Sequence, residues 1–167
     1  MKKIFGIVFI ILFFVVHSAF AEGTIIVSSS RIKNSFTSQN KYLKVSLICT
    51  ADSSDGSFPA KMLNSSTPGL PATGLIGLKL YKVLTYPGST APTGGASLTI
   101  TQDTSDDLLG GGGSGLISAT LYKSCLAGTS DGNKAEMPIT GDISFNLTGN
   151  SVHSAVINAI LLFEAID

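Results

Sequence analysis

Apolar and polar residues alternate with period two over much of this chain. A β-strand returns its side chains to the same face at that spacing, so the alternation predicts strands with one buried face. Such strands are predicted at 43–49, 75–84, 98–101, 117–122 and 143–148. Helical periodicity is almost absent, which indicates an all-β protein.

Individual faces follow from the same parity. Segment 75–84 is predicted to put Ile76, Leu78, Leu80 and Leu84 on one side and Lys79 on the other. The alternation of 143–148 is the most regular in the chain, with three apolar residues on one parity and three polar residues on the other.

The last apolar run, 155–163, is apolar on both parities. It fits either a central strand covered on both sides or a short buried helix, and its length and β-branched content favour the strand. The turn 148–151 precedes it, so 143–148 and this run are predicted to form a hairpin.

Segments rich in Gly, Ser, Pro, Asp and Thr separate the predicted strands. They lie at 52–59, 64–74, 87–95, 110–115 and 128–134. Short strands joined by such loops are typical of a single antiparallel β-sandwich, similar to a jelly roll. We expect this domain to span 41–167, whereas 22–40 is either a flexible arm or an edge strand.

The first 21 residues have the features of a cleavable secretory signal. Lys2 and Lys3 precede an apolar run from Ile4 to Val16, and Ala19 and Ala21 stand where signal peptidase requires small residues. The run is shorter than the roughly 20 residues that a membrane-spanning helix needs. We therefore predict cleavage before Glu22 and export to the periplasm, the cell surface or the medium.

The chain that remains after cleavage would have 146 residues, with 9 Lys and Arg against 11 Asp and Glu. That length suits one domain with a real core. A net charge of −2 with a single Arg, Arg31, argues against a nucleic-acid partner, because phosphate binding requires clustered Lys and Arg. No second apolar run is long enough to span a membrane.

Cys49 and Cys125 are the only cysteines. Each continues the inward parity of a predicted strand, and an oxidising compartment favours pairing. We expect one disulfide between them, with two buried free thiols as the alternative.

Evidence for catalytic chemistry is weak. His153 is the only histidine after the signal, and it lies in a polar turn without a Gly-x-Ser-x-Gly motif. The run Gly110–Gly113 lacks the Gly-Lys-Ser/Thr ending of a phosphate-binding loop, so it indicates a flexible loop or a close backbone crossing. We expect no enzymatic activity.

Acidic residues cluster in two predicted loops. Asp103, Asp106 and Asp107 lie in one, and Asp52 and Asp55 lie in the other. Carboxylates in turns can bind Ca²⁺, although neither loop has the Asp-x-Asp-x-Asp-Gly pattern. The alternative is that these side chains accept hydrogen bonds from the turns themselves.

Three stretches together resemble a known group of proteins. They are 47–63 (LICTADSSDGSFPAKML), 78–113 (LKLYKVLTYPGSTAPTGGASLTITQDTSDDLLGGGG) and 138–163 (PITGDISFNLTGNSVHSAVINAILLF). This pattern is similar to small proteins encoded among the virion structural genes of tailed phages and prophages. The resemblance implies a β-rich structural subunit without catalytic residues, and the predicted signal peptide sets this chain apart from those proteins.

The sequence thus predicts an exported, non-enzymatic structural or interaction protein. Its edge strands would mediate self-association, and loops 52–59, 87–95 and 103–115 would contact a protein partner. A small module that binds Ca²⁺ or another ligand is the alternative.

Overall fold

A computed structural model describes residues 22–33, 40–102, 106–128 and 138–165. The predicted signal peptide lies outside these ranges. The described residues form nine β-strands and no helix. Among these residues there is therefore no helix that could span a membrane. The strands are β1 (Thr24–Lys33), β2 (Asn40–Thr50), β3 (Lys61–Leu63), β4 (Leu78–Pro87), β5 (Ser97–Gln102), β6 (Asp106–Asp107), β7 (Lys123–Leu126), β8 (Ile143–Thr148) and β9 (Val156–Ala165).

The strands form two antiparallel sheets that pack face to face. One sheet has the order β1-β2-β9-β4-β7, and the other has the order β3-β8-β5-β6. The core lies between them, where side chains from both sheets are fully buried. Its largest members include Leu47, Leu98, Ile143, Phe145, Leu161 and Phe163. The predicted all-β sandwich is confirmed.

Strand β9 is the central strand of the five-stranded sheet, between β2 and β4. Its buried residues, Ile157 to Phe163 at every second position, face the core, while Ile160 and Leu162 are partly exposed on the other side. This explains why 155–163 is apolar on both parities, and the strand interpretation is confirmed.

The predicted hairpin between the last two strands is wrong. β8 pairs with β3 and β5, whereas β9 pairs with β2 and β4 in the opposite sheet. The turn after Thr148 therefore carries the chain from one layer of the sandwich to the other. A short turn between two alternating segments does not distinguish this path from a hairpin.

The predicted face of 75–84 is only partly correct. The strand begins at Leu78, and Ile76 is 61% exposed. A β-bulge at Tyr81 makes Leu80 and Lys82 pair with consecutive residues of β9. The extra residue reverses the parity, so that Val83 and Thr85 face the core and Leu84 does not.

The predicted strand at 117–122 is also wrong. Residues 116–122 are irregular, and Leu121 is 63% exposed. Ile117 is nevertheless buried, and its backbone exchanges hydrogen bonds with Gly95 and Ala96. The strand in this region is β7, which begins at Lys123.

The expected disulfide between Cys49 and Cys125 does not form, and both thiols are free. Both side chains do lie on the core side of the five-stranded sheet. However, β9 and β4 separate β2 from β7, which puts the two strands about 14 Å apart at the usual strand spacing. The register adds to this distance, because Cys49 lies level with Ile157 of β9 and Cys125 lies level with Leu161. A disulfide needs Cα atoms within about 7 Å.

The segment left open as an arm or an edge strand contains β1, at the edge of the five-stranded sheet. β1 pairs with β2 from Thr24 opposite Thr50 to Lys33 opposite Asn40. The loop 64–74 lies against the middle of β1, where the Ser29 hydroxyl donates to the Gly69 carbonyl oxygen at 2.6 Å. A side chain at Gly69 would overlap the Val27 carbonyl.

Candidate functional site

Asp107 of the predicted calcium cluster holds a turn. Its Oδ1 accepts from the Leu109 amide at 3.0 Å, and its Oδ2 accepts from the Gly111 amide at 2.8 Å. Asp103 lies outside the described residues, as does the side chain of Asp106. In the described part of the cluster, the carboxylate therefore acts as a turn cap.

The second acidic loop has the same construction. Asp52 Oδ1 accepts from the Ser54 amide and hydroxyl, and Asp55 Oδ1 accepts from the Ser57 amide at 2.7 Å. The hydrogen bonds from Ser54 lower the pKa of Asp52, and those from Ser57 lower the pKa of Asp55. Within the described ranges, no three His, Cys, Asp or Glu side chains converge as metal ligands would.

His153 is exposed in the turn before β9. It is close enough to Asp52 and Asp55 that its charge contributes to lowering the pKa of each. Both carboxylates are engaged in their own turn, so neither forms a catalytic triad with this histidine in the described part of the chain.

Three loops meet at the end of the sandwich that carries His153. The Asn150 side chain donates to the Gly56 carbonyl at 2.6 Å and to the Val152 carbonyl at 2.9 Å, and it accepts from the Thr93 amide at 2.8 Å. Predicted partner loops 52–59 and 87–95 are thus joined through one amide group. Each of the three stretches that carried the phage resemblance contains one of these loops.

We call the hydrogen bonds of the Asn150 side chain with Gly56, Val152 and Thr93 the Asn150 clasp. A shallow depression of about 300 Å³ opens beside it. Ser57 and Phe58 line one side, and Asn146, Thr148 and Asn150 line the other. Both N–H donors of the Asn150 amide and one of the two acceptor positions on its oxygen are already used, so this amide has little capacity left for a ligand.

The outer face of the five-stranded sheet is the most unusual surface among the described residues. Ile26 of β1 and Ile48 of β2 are cross-strand neighbours and are 62% and 46% exposed. Leu126 of β7 is 45% exposed on the same face. Exposed apolar groups that adjoin one another, rather than standing alone, mark interaction surfaces.

Aromatic residues extend this face toward β7. The rings of Tyr86 and Tyr122 stack with centroids 4.8 Å apart, and Tyr122 is 76% exposed. In the strand register Asn158 lies between Ile48 and Tyr86. Ile160 and Leu84 are partly exposed one row further along the strands, and Leu162 is partly exposed one row beyond them. We call the outward-facing residues of β1, β2, β9, β4 and β7 the outer face.

Lysines lie at one end of the outer face. Lys44 and Lys82 flank Leu162 in the strand register. Further along, Glu164 forms ion pairs with Lys41 at 3.0 Å and with Lys79 at 3.4 Å. The face is therefore apolar and aromatic toward the Asn150 clasp and basic toward the opposite end.

Sequence reasoning assigned partner contacts to edges and loops and did not identify the outer face. The signal was present in the runs Ile25–Val27 and Leu47–Cys49, where an isoleucine interrupts the alternation on its polar side. In a strand with one solvated face, that outward position is normally polar.

No known protein family, curated protein or solved structure matches this chain.

Proposed function

We propose that this protein is an exported, non-enzymatic structural or interaction protein that binds itself or another protein through the outer face. The observation that carries the proposal is the adjacent exposure of Ile26 and Ile48. Tyr86 lies in the same row and stacks on Tyr122, and Leu126 is exposed at the far corner of the face. Leaving these side chains in water is unfavourable, and a covering protein surface would remove that cost. The predicted secretory signal supports export, and the phage resemblance is in line with a structural role.

Binding through the β1 edge is less favourable than binding through the outer face. Loop 64–74 already lies against the middle of β1, through the contacts of Gly69 with Val27 and Ser29. Such a covering segment is one way in which proteins prevent strand addition at an edge. The outer face has no such cover among the described residues.

The calcium-binding alternative gains no support from the described acidic residues. Both carboxylate oxygens of Asp107 are occupied by backbone amides. Asp52 and Asp55 similarly hold their own turn.

Site-specific photo-crosslinking in the producing cells tests the proposal. A photoreactive residue at position 48 is expected to give a discrete protein adduct. The matched control is Thr99, which is exposed on the outer side of the four-stranded sheet. Absence of any adduct at 48, or equal adducts at both positions, would overturn the proposed function.

A further inference from the structure

We propose that the outer face is covered by the same face of a second copy of this chain. The two copies are related by a two-fold axis that lies in the interface and runs across the strands. This inference rests on the proposed function and names its partner. The support is the area of the face, its register and the distribution of its charges.

The area of the outer face suits a stable dimer. Four of its strands have 10 or 11 residues, and β7 has 4. At about 4.8 Å between strands and about 3.3 Å per residue, the sheet covers roughly 700 Å². A standard protein interface buries about 800 Å² on each partner.

The outward residues form straight rows across the sheet. The central row contains Ser28, Ser46, Ile160, Leu84 and Ser124. On the clasp side lies the Ile48 row, with Ile26, Ile48, Asn158 and Tyr86. On the basic side lies the Lys44 row, with Ser30, Lys44, Leu162, Lys82 and Leu126.

A two-fold axis along the central row places each Lys44 row over the partner's Ile48 row. Lys82 then faces the partner copy's Tyr86, beside the stacked ring of Tyr122. A lysine ammonium group over an aromatic face is an attractive arrangement. Lys44 correspondingly lies over the second copy's Ile48, where its aliphatic stem can pack on the isoleucine.

The charges determine which two-fold arrangement is favoured. With the axis across the strands, the Lys44 rows of the two copies lie two rows apart, about 13 Å at the usual rise per residue. That separation exceeds the screening length of about 8–10 Å at physiological salt. An axis parallel to the strands would stack the two Lys44 rows on each other, so repulsion disfavours it.

The first experiment measures oligomeric state by analytical ultracentrifugation of protein purified after export of the full chain. The unsubstituted protein, called the parent below, is expected to be a dimer. The Ile48→Lys variant is expected to be a monomer, because it places a charge on the outer face. Thr99→Lys, the matched control on the opposite sheet, should remain dimeric. If Ile48→Lys fails to fold, Ile26→Lys on edge strand β1 replaces it, because Ile26 is 62% exposed.

The second experiment tests the register. In a Cys125→Ser background, Ser46→Cys lies in the central row and should be joined to its own counterpart by a short bis-maleimide. Ser30→Cys, one row away from the axis, should be joined much less. Preferential crosslinking at position 30 would overturn the proposed axis.

The outcomes separate this inference from the proposed function. A monomeric parent that still gives an adduct with a different protein at position 48 overturns the dimer and leaves the proposed function standing. A monomeric parent without any adduct overturns both. A parent that forms open, concentration-dependent polymers also overturns the closed two-fold dimer.

Discussion

The Asn150 side chain donates a 2.6 Å hydrogen bond to the carbonyl oxygen of Gly56, which lies 94 residues earlier in the chain. The contact joins two loops that follow different strands, and the same amide also holds Thr93. Gly56 is required at its position because a side chain there would lie 2.8 Å from the Ser151 carbonyl carbon. A single amide thus joins three loops at one end of the sandwich.

We expect Asn150→Ala to lower the free energy of unfolding by about 2–3 kcal/mol, because three partly buried hydrogen bonds are lost. Urea denaturation measures the change. Ser151→Ala is the control, since it removes only an exposed hydroxyl contact with Thr93, and it should cost less than about 0.5 kcal/mol. Equal losses of unfolding free energy in the two variants would show that the Asn150 hydrogen bonds do not hold the three loops together.

Gly113→Ala should destabilise the protein by roughly 1–3 kcal/mol, the usual cost of overpacking. A methyl group there would overlap the Leu98 carbonyl oxygen. In Gly94→Ala, the nearest atom to the new methyl is 3.9 Å away, so the change should stay within about 0.5 kcal/mol. Thermal melting compares the stabilities of the two variants. An unchanged melting temperature in Gly113→Ala would show that the backbone of Gly113 does not pass close to the Leu98 carbonyl.

Both cysteines should react fully with an alkylating reagent in unfolded, unreduced protein, as mass spectrometry would show. In native protein Cys49 should react very slowly, because burial raises the pKa of its thiol to about 12 and leaves it 0% exposed. Burial also raises the pKa of Cys125, which remains partly exposed and should react first. Thiols that become reactive only after reduction would contradict the separation of β2 from β7.

Glu164 should make stability depend on pH. Desolvation raises the pKa of its carboxyl, but the hydrogen bond and charge of Lys41, together with Lys79, outweigh that effect and leave the pKa below its usual value. A lowered folded-state pKa means that the stabilisation is complete above the carboxyl's ordinary pKa and is lost as the pH falls through the lowered value.

The matched substitution is Glu164→Gln, which keeps the shape and removes the charge. The difference in melting temperature between parent and variant should be largest at neutral pH and should shrink in acid. A difference that does not change with pH would indicate that the ion pairs contribute nothing to stability.

N-terminal sequencing of protein recovered from the envelope or medium should begin at Glu22. The small residues Ala19 and Ala21 fit signal peptidase, and the apolar run before them is short for a membrane anchor. Retention of Met1 in the exported protein would show that the segment is not cleaved.

The sequence predicted the strands with undisturbed alternation, β2, β5 and β8, and it predicted their buried faces. It could not predict the bulge at Tyr81, because one extra residue reverses parity without changing the composition. Nor could it predict that the chain changes sheets after Thr148, since strand pairing is set by packing between distant segments.

The cysteines show the same limit. Parity placed the Cys49 sulfur toward the core correctly. Cys125 also packs against the core, although the strand from which its parity was extended does not form, and the distance between the two depends on the order of strands in the sheet. The outer face was missed for a related reason. Ile26 and Ile48 become neighbours only when β1 and β2 pair, so neither residue alone indicates an interaction surface.

The central position of β9 has a consequence for biogenesis. β2 and β4 are both synthesised long before β9, yet the β1-β2 pair and the β4-β7 pair are not joined into one sheet until β9 arrives. Pairings between segments so distant in sequence form slowly, because a long loop must close first. A nascent chain would therefore remain unfolded through most of its synthesis, which is the state that a secretion channel can thread.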